Sequence, residues 1–127
     1  MKFLATTLEG VWLIQAEPRE DSRGYFARVF CQKEFAEHGL NVAWPQSNLS
    51  YNHSRGILRG LHFQADPKPE IKVVRCESGA IFDVVVDVRA GSATRGRWES
   101  FELRSESLTM LYIPGGCAHG FQCLEDR

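Results

Sequence analysis

The stretch Ala80-Ile81-Phe82-Asp83-Val84-Val85-Val86-Asp87-Val88-Arg89 decides the fold of this chain. Its run of β-branched residues, free of proline and glycine after the first turn of chain, reads as a strand. Side chains alternate along a strand, so Phe82, Val84, Val86 and Val88 share one face, and Ile81, Asp83, Val85 and Asp87 share the other. The second face mixes acids with aliphatics. Asp87, near the end of the strand, is expected to be solvated. Asp83, in mid-strand, is expected to face the interior of a barrel that holds a ligand, where a few polar groups stand among apolar ones.

Outward from this strand, short β-branched or aromatic runs bounded by Gly, Pro, Ser or Asp recur at residues 11–15, 25–30, 57–64, 71–76, 98–103, 108–114 and 119–124. Starts about every ten residues predict an all-β sandwich or barrel. One short helix is expected over 32–38, with Phe35 on its apolar side and Gly39 placed to end it. Lys72, Val74 and Cys76 share one strand face. Residues 65–70, with Pro67 and Pro69, read as a loop. Within 58–64, Arg59 and His62 point to opposite faces of a regular strand, but Gly60 between them is the residue expected at a bulge, which brings both to one side. Repeats, low-complexity tracts and linker-like composition are absent, and a single domain over 1–127 is expected.

With 43% hydrophobic and 24% charged residues, 127 residues suffice for a core without staples. A formal charge of −1 excludes the broad basic surface that nucleic acid or an anionic membrane demands. Any bound anion is expected to be small. Cys31, Cys76, Cys117 and Cys123 form no C-x-x-C pair, and the Met1 end lacks the features of a secretory signal. A soluble, reduced, cytoplasmic protein is expected, with structural thiols. No apolar stretch approaches membrane-spanning length.

Four histidines are candidates for chemistry. His38 and His53 have no context that lifts them above structural roles. His62 and His119 lie on expected strands, but His62 is followed by Phe63 and Gln64 with no H-x-H, so the convergent ligand set of a first-row metal is not expected. Arg59 precedes His62 by three residues and Lys72 follows it by ten. This set can do chemistry without a metal: arginine clamps phosphate bidentately, imidazole acts as a base near neutral pH, and a lysine cation stabilises an adjacent oxyanion. Surface placement of Arg59 and Lys72 fits the spacing equally well.

Arg59-Gly60-Leu61-His62-Phe63-Gln64 resembles the R-G-L-H-F-Q signature of the dTDP-4-dehydrorhamnose 3,5-epimerase family. Further matches follow in register: Asp21-x-Arg23-Gly24-Tyr25-Phe26, Gln46-x-Asn48-x-Ser50, Lys72-x-Val74-Arg75, Asp83-Val84-Val85-Val86-Asp87-x-Arg89 and Ile113-Pro114-x-Gly116-x-Ala118-His119-Gly120-Phe121. They cover nearly the whole chain, and the last also fits the second general cupin motif.

The resemblance implies a cupin-type jelly-roll barrel, a homodimer with no cofactor, acting on a dTDP-4-keto-6-deoxyhexose. By residue, it implies His62 as the base that removes the hydrogen at C3 or C5, Lys72 as the group facing the enolate oxygen, and Asp83 as a polar neighbour of the imidazoles. Arg59 and Arg23 are implied at the diphosphate, with Arg23 reaching in from the partner subunit. Phe26 is implied against the nucleobase, and Gln46, Asn48 and His119 along the sugar-nucleotide pocket.

Three departures accompany the match. Arg28 stands where the family carries a glutamate that contacts the nucleotide, a charge reversal that bears on base preference. One residue is inserted between Asn48 and Arg59. The family also continues past Arg127, supplying a tyrosine acid and an aspartate that orients the base, and Tyr112, before the Ile-Pro pair, does not match that tyrosine. Binding without turnover, and 3,4-ketoisomerase chemistry on a similar barrel, are the competing functions.

Overall fold

A computed structural model describes residues 1–63 and 70–126. Gln64 of the signature and positions 65–69 of the expected loop lie outside the described residues.

The chain forms two four-stranded antiparallel sheets and a separate hairpin. The first sheet has the order β1 (Lys2–Ala5), β2 (Trp12–Gln15), β9 (Thr109–Ile113), β6 (Lys72–Arg75). The second has the order β5 (Leu58–His62), β10 (Cys117–Cys123), β7 (Ala80–Asp87), β8 (Trp98–Arg104). Among the described residues β3 (Arg19–Asp21) and β4 (Gly24–Phe26) pair only with each other. The helix α1 spans Gln32–Glu37, and Gly39, at φ 70°, ends it with Leu40 N–H returning to the Phe35 carbonyl at 2.9 Å.

Strand β9 shows why the sheets stack as they do. Four of its residues are buried on both faces: Leu111 and Ile113 join the inter-sheet core with Leu8, Val11, Val85, Phe101 and Leu103, while Met110 and Tyr112 lie beneath α1 with Ile14, Phe35 and Leu40. Phe35, 1% exposed, meets Phe3, Phe30 and Tyr112 edge-on. The helix thus covers the outer face of the first sheet, and the barrel interior lies on its other side.

β7 buries Asp83, Val85 and Asp87 and turns Phe82 to the outside, with Val88 exposed just past its end, so the expected alternation holds. The expectation that Asp87 is solvated is wrong: it is fully buried. Its carboxylate accepts hydrogen bonds from the Arg89 backbone and Nε, from Ser92 Oγ and from Thr94 Oγ1, in a loop that folds back so that Asp87 N–H reaches the Arg97 carbonyl at 2.9 Å. Burial works to raise its pKa, but these donors outweigh burial and hold the carboxyl well below its usual range.

The strand expected at 25–30 is confined to Gly24–Phe26, and β1 and β3 arise where none was expected. All four cysteines are free thiols. No helix among the described residues is long and apolar enough to cross a membrane.

Candidate functional site

The site is organised by one irregularity between β5 and β10. His119 pairs with His62, and Phe121 pairs with Arg59, so Gly60 and Leu61 together oppose Gly120. This is the expected bulge. Directly opposed residues of a sheet share a face, so Arg59 and His62 both stand on the face of His119 and Phe121. Two glycines make the close approach possible. Gly60 has φ +101°, and a Cβ there would lie 2.7 Å from Gly120 Cα; a Cβ on Gly120 would lie 2.6 Å from the Arg59 carbonyl oxygen. Any larger residue at either position forces the strands apart.

From β10 the site continues into β7. His119 Nδ1 lies 3.3 Å from Asp83 Oδ1, with the imidazole 12% and the carboxylate 0% exposed. The second Asp83 oxygen is buried with no hydrogen-bond partner. Burial pushes the Asp83 pKa up, against the hydrogen bond and charge of His119 and the charge of Lys72, which act to lower it. Lys72, at the start of β6, is half-buried with Nζ 3.6 Å from Glu70 Oε1. Thus β6, β7 and β10 bring a cation, a buried acid and an imidazole together, and β5 adds a second imidazole.

A cleft of about 1290 Å³ opens beside this group, lined by Gln46, Asn48, Lys72, His119 and Phe121 among others. Gln46 and Asn48 belong to the segment that runs back to β5, where Arg59 donates from Nε to Asn52 Oδ1 at 2.5 Å and from Nη2 to the Tyr51 carbonyl at 3.0 Å. The structure therefore brings Gln46, Asn48, Arg59, His62, Lys72, Asp83 and His119 into one region. Of these, Gln46, Asn48, Lys72 and His119 line the cleft itself, Asp83 lies against His119, and Arg59 and His62 stand on the neighbouring strand β5; Arg23, Phe26 and Arg28 are outside the lining. Arg23 sits at the tip of the β3–β4 hairpin, 87% exposed and paired with Asp21 at 2.6 Å, and Phe26 is 77% exposed. Arg28 lies 3.5 Å from Glu34 at the side of α1.

Other groups have structural places. Tyr112 is buried behind the first sheet, where its hydroxyl accepts from Asn41 N–H at 3.0 Å. His38 stacks on Phe3 and packs its Nδ1 against the Glu34 carbonyl. Among the described residues no three His, Cys, Asp or Glu converge as metal ligands. Gly120, Tyr51 and Asn52 were not singled out from sequence. A glycine inside an expected strand was a usable signal for Gly120; nothing local distinguishes Tyr51 or Asn52.

The sequence model of dTDP-4-dehydrorhamnose 3,5-epimerase matches residues 5–127. The chain belongs to the dTDP-4-dehydrorhamnose 3,5-epimerase family. A curated family member from Sinorhizobium fredii is 45% identical over 98% of this chain and 64% of its own length. Thus the chain spans a little under two thirds of that relative. The crystal structure of the epimerase from Elizabethkingia anophelis superposes with a TM-score of 0.95 at 40% identity, over 99% of this chain and 69% of that one. The Bacillus anthracis epimerase, solved with TDP and PPi bound, superposes with a TM-score of 0.94 at 34% identity, over 98% of this chain and 71% of that one. The cupin-type, mostly β architecture of the epimerase family is therefore the architecture of this chain.

Proposed function

We propose that this chain, as a single domain over 1–127, carries the base and much of the substrate pocket of an epimerase acting at C3, C5 or both of a dTDP-4-keto-6-deoxyhexose. The observation that carries the proposal is that His119 and Lys72 line the cleft, with Asp83 against His119 and His62 paired across the strands with His119. The bound TDP of the Bacillus anthracis relative supports the nucleotide class.

The C4 ketone acidifies the hydrogens on C3 and C5. His62 takes one of these protons, the C–H electron pair moves into the ring, and the carbonyl π electrons move to O4, giving an enolate. The Lys72 cation stabilises O4, which is where a half-buried ammonium acts most strongly. A proton returned to the opposite face of the carbon inverts the centre. Asp83, accepting from His119 Nδ1–H, fixes the tautomer that leaves Nε2 toward the sugar. Gln46 and Asn48 line the sugar-nucleotide pocket, and Arg59 takes the diphosphate.

The remaining contacts come from a second subunit of a homodimer. The exposure of Arg23 and Phe26 on a hairpin that pairs with neither sheet supports their use outside their own chain, with Phe26 against the base and Arg23 at the diphosphate. Arg28, next to this hairpin, then bears on base preference. Four free thiols support a reducing, cytoplasmic setting.

Incubation of the 4-keto sugar nucleotide in D2O tests the chemistry. Deuterium is expected at C3, C5 or both, and His62→Asn is expected to abolish its entry while dTDP binding persists. Retained labelling in His62→Asn refutes the base assignment; no labelling with folded wild-type protein refutes the turnover.

A further inference from the structure

Arg59 lies on an exposed edge strand, where a long side chain ordinarily samples many rotamers. Instead, two oxygens of adjacent residues hold it: Asn52 Oδ1 takes Nε–H and the Tyr51 carbonyl takes one Nη2–H. Among the described residues the other three of its five guanidinium N–H groups have no acceptor, and two of them lie along the Nη1–Nη2 edge away from Nε. Both oxygens belong to the segment that also carries Gln46 and Asn48.

The nature of the acceptors matters as much as their geometry. Arg23, Arg28, Arg75, Arg89 and Arg104 are each held against a carboxylate. Among the described residues no carboxylate lies within ion-pair distance of Arg59. An amide oxygen and a peptide oxygen fix the fork without cancelling its charge. An anion arriving at the free edge therefore meets the full cation in a preset orientation, which reduces the ordering cost of binding.

We infer that Asn52 is a positioning residue for the diphosphate subsite, a role that rests on the epimerase reading. It turns the free edge of Arg59 outward with its charge intact, and it ties the segment of Gln46 and Asn48 to the strand of His62. The chemical class recognised is a nucleoside diphosphate rather than a nucleoside.

Calorimetric titration of the protein with dTDP and with thymidine tests this, alongside steady-state kinetics. Asn52→Ala is expected to weaken dTDP about tenfold and to raise KM by a similar factor, with thymidine affinity and kcat within about twofold of wild type. Asn52→Asp keeps the acceptor but sets a carboxylate against the fork. It is expected to retain the wild-type melting temperature yet still weaken dTDP by several fold. Wild-type dTDP affinity in Asn52→Ala, equal weakening of thymidine, or full rescue by Asn52→Asp overturns the inference, the last because a merely structural hydrogen bond is satisfied by aspartate. A wild-type protein that binds no dTDP defeats the epimerase reading itself, and the inference with it.

Discussion

Asp83 and Asp87 stand four residues apart on the same buried face of β7, yet their surroundings drive them in opposite directions. Asp83 has one imidazole partner and one orphaned oxygen, so burial raises its pKa above the unfolded value of 3.8. Between that value and the raised one the folded state holds more protons than the unfolded state, so the Asp83 contribution to stability falls as pH rises through the window. Asp87 has donors on both oxygens and a lowered pKa, so its contribution is present above 3.8 and is lost as pH falls toward the folded value. Urea unfolding between about pH 3 and pH 8 separates the two. Asp83→Asn is expected to remove the decline with rising pH and to leave the neutral-pH stability no lower than wild type. Asp87→Asn is expected to cost about 2–3 kcal/mol near neutrality, the scale of hydrogen bonds to a charged group, and to flatten the acid limb.

At the scale of the elements, the seam between β5 and β10 is the point of least tolerance. Gly120→Ala sets a Cβ 2.6 Å from the Arg59 carbonyl oxygen, so β5 must move. Chemical denaturation is expected to register about 1–3 kcal/mol of overpacking. Deuterium labelling of the sugar is expected to slow about 100-fold, because His62 is carried on the displaced strand. Much of this architecture was legible in advance. Alternation along β7, the helix with Phe35 inward and the bulge at Gly60 all follow from local periodicity and glycine placement. β3 was not legible, because Arg19-Glu20-Asp21 has no apolar face and becomes a strand only by pairing with β4. β1 is mostly exposed and gives little alternation to read. Asp87 was misjudged because its partners Ser92 and Thr94 come from a returning loop. Asn52 escaped notice for the same reason: its function depends on where a segment without regular structure meets a strand. Gln46 and Asn48 were reachable through the family signature and not through periodicity.

On the scale of the whole molecule, the β3–β4 hairpin is the element that one chain leaves unused. If it completes the pocket of a second subunit, sites are shared, and two differently damaged subunits can repair one another. Arg23→Ala and His62→Asn homodimers are each expected to be nearly inactive. Co-refolding them is expected to restore labelling, since each mixed dimer contains one site with both residues intact. No recovery from mixtures shown to contain mixed dimers places Arg23 and His62 in the same subunit's site. The position of β5 carries a further consequence. Among the described residues it is paired along one edge only, to β10, and all five of its residues are exposed, so little buried surface opposes its local opening. The strand that holds His62 and Arg59 therefore belongs to the loosely held margin of the barrel. A ligand that bridges Arg59 to Lys72 joins this margin to the opposite sheet, so dTDP is expected to slow the local opening of β5 by mass action, read as slower amide exchange along the strand.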